Sequence, residues 1–579
     1  MSVPKPGPRM SAGPATIGLA LVVLIAPFLW QLAADGRYAK FGFVAPDTFY
    51  YLTVARNVVE HGTISFDQFH PTNAFHPLWQ LICVLLYALG KLFSLPEDAV
   101  IVAALVTGLL FIGVGLVAVA RAMPGSSPSP LFVALPLGAY ALALYGPLGS
   151  SIRWGTLWGY ANGMESGVLL GLYGLLALAF VRLDETKIRK QAPVFGLLCA
   201  LLSLSRLDHA ILPALILLSG FLRAVARRDR DRVRFWLASA ATSGGLLVAY
   251  LIFNVIYSGA ALPVSGSLKS TFPSPVRDCF VHTVNFFRRP ETIGTTLQLR
   301  LAQLVVPFVA AVAWGSWMRA RRQVRHDSVQ GSASRTRRKP GAIRIATASP
   351  RCRYEEFLVF TAWTVGFVFL YDFLFVRPFD QGFWYTPVSV LFVSLALLHL
   401  IGRTGWHGRL MRSSRFRIIG SIALAATTIG FYAIAFDDPG GDEYGHFYYV
   451  NAPQARAHYA STAPRLLSND DGIVAYALGF PTMNAIGVML DAEAARAASR
   501  SHLHLFDLAY ARGVRHFTSC RYTRGYREGI PVRSTMSEAE LRDWMGLSSL
   551  ELPDHELRAD FISQDGLFAV NRFVPRRMR

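Results

Sequence analysis

Long apolar stretches separated by short polar segments dominate the hydrophobic pattern of the chain. A helix needs about 20 predominantly apolar residues to cross a bilayer. The stretches that approach this length are 16–34, 76–95, 98–120, 131–148, 167–182, 192–207, 209–225, 235–257, 298–318, 356–376, 384–402 and 417–436. The pattern therefore predicts an all-α polytopic membrane protein. The first stretch follows Lys5 and Arg9, and its length favours an uncleaved helix over a cleaved signal peptide.

Basic residues cluster in the linkers between the apolar stretches. The net charge of +20 with only 16% charged residues, placed in this way, indicates cytoplasmic loops and not a nucleic-acid surface. The linkers predicted to be cytoplasmic are 182–190, 223–234, 319–344 and 403–417. If every stretch crossed, the first of these linkers would lie outside. We therefore predict that 76–95, which contains Lys91, is a juxtamembrane or re-entrant helix on the outer face, which leaves about eleven spans.

The pattern divides the chain into two regions. Residues 1–436 form the predicted transmembrane region, with an outer loop at 35–97 and an Arg-, Ser- and Gly-rich loop at 319–353 that we expect to be disordered in the cytoplasm. Residues 437–579 have mixed composition, with the strand-like run GIVAYALGF and the helix-like run DAEAARAASRSHLHLFDLAYARG. They predict a small α/β domain on the outer face. The five cysteines are scattered and show neither metal-ligand spacing nor an evident disulfide framework.

The first outer loop carries the most informative polar residues. Asp47 opens a segment with helical periodicity, 47–59, in which a carboxylate at the start is favoured by the helix dipole. The pattern leaves open whether Asp47 is only a helix N-cap or a general base. Further along, in the run HPTNAFHPLW, His70, Asn73, His76 and Pro77 would order the loop or hydrogen-bond a substrate. Trp79 would stack on a sugar ring or line the groove of a lipid tail, although an interfacial aromatic belt also explains it. Metal binding by the two histidines is not favoured, because nothing supplies the remaining ligands.

Ionisable residues lie at the edge of apolar stretches at three further outer positions. They are Glu165 in NGMESG, Arg206 and Asp208 in SLSRLDHA, and Lys269 in LPVSGSLKST. Each alone is equally consistent with a structural salt bridge, whereas their convergence on one face would indicate a functional cleft. In such a cleft Arg206 and Lys269 would hold a phosphate. The other candidates for substrate binding are Tyr50, Tyr51, Arg56 and Tyr385, although interfacial aromatic belts also explain tyrosines at these positions.

The same motifs, in this order, resemble the GT-C superfamily of polyprenyl-phosphate-sugar-dependent glycosyltransferases, which includes protein O-mannosyltransferases and aminoarabinose and arabinofuranosyl transferases. The resemblance rests on PDTFYYLTVARN, TNAFHPLW, GMESG, SRLDH, PVSGSLKS and the C-terminal DDGIVAYALGF. It implies an inverting sugar transfer at the outer face of the inner (plasma) membrane. The implied donor is a polyprenyl-phosphate sugar, and the acceptor is a glycan, a lipid or a protein of the cell envelope.

The resemblance also implies roles for individual residues. Asp47 would be the general base, Glu165 would help to bind the acceptor or the sugar, and Arg206 and Lys269 would lie near the donor phosphate. Many relatives carry two adjacent carboxylates in the first motif, whereas this chain has Pro46-Asp47. The single carboxylate favours a metal-independent reaction on a lipid monophosphate, so no cofactor is expected.

Two other function classes are alternatives to a hexosyl- or pentosyltransferase. A transporter or lipid flippase should show inverted repeats or helices broken at matching positions in two halves, and the sequence shows neither. An inactive relative that serves as a scaffold is disfavoured because Asp47, Arg206 and Lys269 are all present. The leading prediction is therefore a membrane glycosyltransferase.

Overall fold

A computed structural model describes the chain in several segments. These are residues 39–45, 47–123, 162–183, 188–275, 350–376, 442–469, 472–485, 489–500, 502–519, 555–565 and 568–575, together with Ala33, Arg37, Val388 and Ala396. Apart from single residues, five of the predicted apolar stretches lie outside them: 16–34, 131–148, 298–318, 384–402 and 417–436. Most of the predicted loop 319–353 also lies outside, and its last residues belong to a helix that begins at Pro350.

The described residues up to 376 are mostly helical. The helices are α1 (Ala39–Phe43), α2 (Thr48–His61), α3 (Pro77–Leu92), α4 (Glu97–Ala122), α5 (Ser166–Val181), α6 (Ile188–Ser205), α7 (Ile211–Ala226), α8 (Arg230–Ser258), α9 (Val264–Lys269) and α10 (Pro350–Phe375). A 3₁₀ turn, Leu207–Ala210, links α6 to α7. Among the described residues, three segments are long and apolar enough to cross a membrane: α4, Leu207–Ala226 and α8. Three shorter helices are also apolar, namely α3, α5 and Lys190–Ser205. The chain is thus a predominantly helical membrane protein, as predicted.

Helix α3 covers the stretch predicted to lie against the membrane without crossing it. Pro77 occupies its first turn, where the missing N–H costs nothing. Its 16 residues span about 24 Å, less than the roughly 30 Å of a hydrocarbon core. Leu81, Leu85 and Leu89 are exposed at four-residue spacing and form an apolar stripe away from the protein. This length and stripe are compatible with the predicted re-entrant or juxtamembrane position.

Helices α4 and α5 are joined by a seam of glycines. A methyl group added at Gly167 would lie 2.6 Å from the carbonyl oxygen of Gly108, and one added at Gly174 would lie 2.3 Å from that of Gly115. Both distances are far below van der Waals contact, so only glycine fits. The two backbones therefore touch directly, as they do at small-residue interfaces between membrane helices.

The C-terminal region contains a five-stranded mixed sheet. Its elements are α11 (Asp442–His446), a π-helical turn (Phe447–Asn451), α12 (Ala452–His458), β1 (Leu466–Asn469), α13 (Ile473–Leu478), β2 (Thr482–Asn484), α14 (Ala492–Arg500), α15 (His502–Ala511), β3 (His516–Ser519), β4 (His555–Ile562) and β5 (Ala569–Pro575). The strand order is β2-β1-β3-β5-β4. β1 runs parallel to β2 and β3, whereas β5 is antiparallel to β3 and β4.

The strand predicted for GIVAYALGF is wrong, because this run forms helix α13. Gly472 and Gly479 bracket it in the left-handed conformation, at φ 92° and 72°. All six residues between them are buried, so the run is apolar on every face. A short continuous apolar run has no periodicity that separates a helix from a strand. The helices predicted for 491–513 are present as α14 and α15.

Helix α13 packs on helix α2 of the membrane region. Arg56 donates hydrogen bonds to the carbonyl oxygens of Tyr476 (2.7 Å) and Ala475 (3.0 Å) at the end of α13. The Tyr476 hydroxyl in turn donates to the carbonyl oxygen of Glu97 at the start of α4. The sheet lies close by, since Asn484 of β2 donates to the hydroxyl of Tyr50. The C-terminal region is therefore fixed to α2 and α4 through buried polar contacts.

Candidate functional site

The loop before helix α5 is locked onto the first outer loop. The carbonyl oxygen of Asn162 accepts hydrogen bonds from the backbone N–H of Ala45 and the hydroxyl of Thr48, both at 2.8 Å. The carbonyl oxygen of the next residue, Gly163, accepts a 2.9 Å hydrogen bond from the indole of Trp79. These contacts tie the start of α5 to the starts of α2 and α3.

Glu165 follows this loop and is the centre of the candidate site. Its side chain is only 1% exposed. The hydroxyl of Tyr51 donates a hydrogen bond to Oε2 at 3.2 Å. Oε1 lies 3.5 Å from Nε2 of His76 and 3.5 Å from Nη1 of Arg206. Three residues that the sequence placed among the candidates, Tyr51, His76 and Arg206, therefore converge on the carboxylate of a fourth, Glu165.

Arg206 links Glu165 to a second carboxylate. It precedes the 3₁₀ turn between α6 and α7 in an extended conformation, so its side chain reaches back toward the start of α5. Its Nη2 and Nε lie 2.7 Å and 3.2 Å from the two carboxylate oxygens of Asp208, a bidentate arrangement that a guanidinium makes well. Next to this pair, the hydroxyl of Tyr173 lies 3.0 Å from Nδ1 of His209.

His76 offers an unsatisfied polar atom to the site. Burial lowers the pKa of His76 below its usual value, against the opposing charge of Glu165, so the imidazole is neutral at neutral pH. Its Nδ1 is buried and has no hydrogen-bond partner among the described residues. Buried polar atoms in proteins are almost always paired. A bound substrate group or an ordered water is the expected partner.

Asn73 positions the loop that carries Lys269. Its amide group donates to the carbonyl oxygens of Ala260 (2.8 Å) and Leu262 (3.1 Å), while its oxygen accepts from the backbone N–H of Val264. Val264 begins helix α9, and Lys269 ends it. The charge of Lys269 helps to lower the pKa of His76, so Lys269 lies near the cluster. Asn73 therefore holds backbone in place, and Lys269 extends the cluster by one cation.

Asp47 lies at the start of helix α2, beside the same cluster. Its side chain makes no capping hydrogen bond to the described helix α2 that follows it, so the simple N-cap interpretation lacks its defining contact. Burial raises the pKa of the Tyr51 hydroxyl well above its usual value, and the charges of Glu165 and Asp47 raise it further. Tyr51 thus stays protonated and donates a hydrogen bond to Glu165. The carboxylates of Glu165 and Asp47 both lie close enough to affect its hydroxyl.

Sequence reasoning did not select Asp372 for the site. It lies in the last turns of α10, close enough for the charges of Asp208 and Arg206 to act on it. The end of α10 is tied to the Lys269 loop, because Thr271 donates its backbone N–H to the carbonyl oxygen of Phe375 at 2.7 Å. An aspartate inside the apolar stretch 356–376 was the signal that could have identified it.

Several predicted site residues lie away from Glu165. Tyr50 and Arg56 contact the C-terminal region, as described above. His70 pairs with Asp67 at 2.6 Å in the first outer loop. Trp79 is fully buried and bonds to Gly163, whereas Tyr385 lies outside the described residues. Roles for these residues in substrate binding remain predictions.

Comparison with known proteins supports the fold. No family model and no curated protein matches the sequence. Among solved structures, ArnT from Cupriavidus metallidurans in the apo state is similar at 15% identity and a TM-score of 0.49, over 91% of this chain and 97% of that one. ArnT from Cupriavidus metallidurans bound to undecaprenyl phosphate is similar at 13% identity and a TM-score of 0.50, over 96% and 97%. The second similarity shows that the chain has the fold of ArnT, so the predicted resemblance is confirmed at the level of the fold.

Proposed function

We propose that the protein is a membrane glycosyltransferase that moves a sugar from a polyprenyl-phosphate donor to an acceptor. The observation that carries the proposal is the convergence of Glu165, Arg206, Asp208 and His76 on one cluster, with Asp47 beside it. The fold supports it, since an ArnT structure with the same fold is bound to undecaprenyl phosphate. The proposed location is the inner membrane, with the cluster on the outer face.

In the proposed reaction, Asp47 acts as general base. Its carboxylate takes the proton of an acceptor hydroxyl or amine while the acceptor atom attacks the anomeric carbon of the donor. The bond between that carbon and the phosphate oxygen breaks, and its electron pair leaves with the polyprenyl phosphate. The attack from the opposite face inverts the configuration of the sugar.

The cations of the cluster would stabilise the departing phosphate. Lys269 supplies a point charge, and Arg206 supplies a guanidinium that carboxylates already hold in a fixed orientation. A group that is oriented before the reaction needs no reorganisation as charge develops on the phosphate. Nδ1 of His76 would hydrogen-bond the sugar or the acceptor. Glu165 would hold these groups in place through its contacts with Tyr51, His76 and Arg206.

The proposed reaction uses no metal ion. Within the described segments, no three His, Cys, Asp or Glu side chains converge in an arrangement that could hold one. A lipid monophosphate donor also carries fewer charges than a pyrophosphate, so it has less need of a divalent cation. Metal independence is part of the proposal and is tested by assaying transfer in the presence of a chelator.

The position of the cluster favours transfer over transport. Glu165 directly precedes α5, and Arg206 lies between α6 and α7. The charged groups thus lie at the ends of helices, whereas a transporter site is expected near the middle of the membrane. A site at the end of the helices can receive a lipid-linked donor from the membrane and an acceptor from water.

The test is a transfer assay on the full-length protein in lipid nanodiscs, with a panel of radiolabelled polyprenyl-phosphate sugars. We expect the wild type to turn over one donor and Asp47→Asn to lose about 100-fold or more in rate. The matched control is Asp231→Asn, at an exposed aspartate on α8. Full activity of Asp47→Asn would remove the general base from the proposal. Donor flux across the membrane without transfer would replace the proposal with transport.

A further inference from the structure

The position of Lys269 depends on contacts outside its own helix. Lys269 is the last residue of α9, which has only six residues. A helix of this length is not stable by itself in water. Asn73 holds the start of α9 and the turn before it, as described above. The end of the helix, where Lys269 lies, needs a support of its own.

The segment directly after Lys269 pairs with the end of helix α10. Ser270 and Val376 form an isolated antiparallel β-bridge. The backbone N–H of Thr271 donates a 2.7 Å hydrogen bond to the carbonyl oxygen of Phe375, and the Thr271 hydroxyl donates to the same oxygen at 3.2 Å. Phe375 is the last residue of α10, and the last carbonyl groups of a helix have no partner within it. The Lys269 segment therefore satisfies this end of α10.

Tyr371 adds a side-chain contact to this pairing. It lies one turn before the end of α10, and its hydroxyl donates a 2.8 Å hydrogen bond to the hydroxyl oxygen of Ser270. The Ser270 oxygen also accepts from the backbone N–H of Phe272 at 3.1 Å. The ring of Phe272 packs edge-on against that of Phe375, with 5.0 Å between the ring centroids. Ser270, the residue next to Lys269, is thus held from α10 by the hydroxyl of Tyr371.

The same turn of α10 also lies near the carboxylate cluster. Asp372 directly follows Tyr371, and the charges of Asp208 and Arg206 act on its carboxyl group. Helix α10 also packs on α5 and on the 3₁₀ turn that carries Asp208. The end of α10 therefore contacts the Lys269 segment and lies close to Arg206. These are the two cations that the proposed function assigns to the donor phosphate.

An interfacial aromatic belt explains a tyrosine at the end of a membrane helix, and the ring of Tyr371 is exposed. A belt residue needs no particular hydrogen-bond partner. The hydroxyl of Tyr371 instead meets the residue that adjoins Lys269. A lysine carries a point charge on a flexible stem, so the backbone from which it extends decides which positions its ammonium group reaches.

We propose that Tyr371 is a positioning residue for the donor phosphate: its hydroxyl holds Ser270 and so fixes the backbone from which Lys269 reaches the phosphate. The inference rests on the proposed sugar transfer, because that proposal places Lys269 at the donor. Tyr371 itself does not touch the reacting atoms. Loss of its hydroxyl should weaken donor binding and leave the proton transfer to Asp47 unchanged.

The test uses the full-length protein in lipid nanodiscs. Tyr371→Phe removes the hydroxyl and keeps the ring that packs near Phe375. The matched control is Tyr257→Phe, which removes a hydroxyl that holds a different backbone segment, at the N–H of Ile64. The readouts are hydrogen exchange of residues 264–272, the affinity for undecaprenyl phosphate measured by titration, and the donor KM and kcat.

We expect Tyr371→Phe to speed hydrogen exchange in 264–272 and to weaken undecaprenyl phosphate binding about threefold. The donor KM should rise by the same factor with kcat unchanged. In a Lys269→Met background the Tyr371→Phe change should cause no further loss of affinity, because Tyr371 acts through Lys269. A merely structural role would lower the affinity equally with and without Lys269. Should Tyr371→Phe fail to fold, Ser270→Ala removes the other partner of the hydrogen bond and serves in its place.

Unchanged exchange in 264–272, an equal loss of affinity in Tyr257→Phe, or a further loss in the Lys269→Met background would overturn the inference while the proposed function stands. A wild type that binds undecaprenyl phosphate but transfers no sugar would overturn the proposed function, and exchange and affinity would still decide the role of Tyr371. A wild type that does not bind undecaprenyl phosphate would overturn both.

Discussion

Nη1 of Arg206 lies 3.5 Å from Oε1 of Glu165, and both side chains are almost completely buried. A buried ion pair adds little net stability, but removing one partner leaves the other charge uncompensated. Arg206 also neutralises Asp208, so two carboxylates depend on it. Substitutions at Arg206 should therefore distinguish its contribution to the stability of the protein from its contribution to donor binding.

Replacing Arg206 with alanine should destabilise the protein by about 3 kcal/mol, because Glu165 and Asp208 lose their common cation. Arg206→Lys retains the charge but loses the bidentate geometry, so we expect a folded protein whose donor KM rises about tenfold. Thermal unfolding in nanodiscs and transfer kinetics measure the two effects. A lysine variant with unchanged kinetics would contradict the role of the guanidinium at the phosphate.

Gly163→Ala should disturb the loop before Glu165. The residue has φ 81°, and an added methyl group would lie 2.5 Å from the Thr48 side chain. The matched control is Gly62→Ala, since Gly62 has φ 70° with nothing within 4 Å. The backbone strain should cost about 1 kcal/mol at both positions, and the clash should add about 1–3 kcal/mol at Gly163 alone. Equal thermal midpoints for the two variants would show that the Thr48 side chain moves aside without destabilising the protein.

The His70–Asp67 pair should give the first outer loop a pH-dependent stability. The hydrogen bond to Asp67 raises the pKa of His70 above its usual value. Burial opposes ionisation of Asp67, but its hydrogen bonds with His70 and Phe69 leave its pKa lowered overall. The contribution of Asp67 is present above its unfolded pKa and is lost on acidification. That of His70 is complete below about pH 6.5 and is lost as the pH rises through its folded pKa.

The two effects together predict a window of greatest stabilisation by this pair between about pH 4 and pH 6.5. The thermal midpoints of wild type and His70→Gln should differ most in this window and converge at alkaline pH. Scanning the midpoint against pH for both proteins measures the difference. A difference that is constant, or that grows toward alkaline pH, would exclude the pair as its source.

Arg56→Gln should loosen the C-terminal region. The guanidinium donates two hydrogen bonds to the last carbonyl groups of α13, so its loss should cost about 2 kcal/mol. We expect faster proteolysis within residues 442–575, with an unchanged donor KM for the intact fraction. The sequence placed Arg56 among the substrate-binding candidates. A raised KM with normal protease resistance would favour that earlier interpretation.

The sequence predicted the cluster better than it predicted the surfaces around the cluster. Charged residues beside apolar stretches are energetically costly in a membrane and are often functional. This identified Glu165, Arg206 and Asp208. His76 and Tyr51 were found because they follow Asp47 in the first outer loop. These signals are local, so a single sequence shows them.

What the sequence did not show depends on contacts between distant segments. Helix α2 has an apolar face at Tyr51, Val54 and Ala55, yet the structure buries every residue from Thr48 to Asn57. The opposite face is covered by α13, which lies more than 400 residues later in the chain. Periodicity reports which face is apolar, but it does not report that a polar face bearing Arg56 will be covered by a distant helix.

The glycine seam between α4 and α5 has a consequence for reaction energetics. Where the two backbones touch at Gly167 and Gly174, there is no room for one helix to shift against the other, so the pair is rigid there. Glu165 directly precedes one member of this pair, and Lys40 is paired with Asp98 at the same end of the other. The carboxylate of Glu165 is thus preorganised, and no free energy of donor binding is needed to bring it into position.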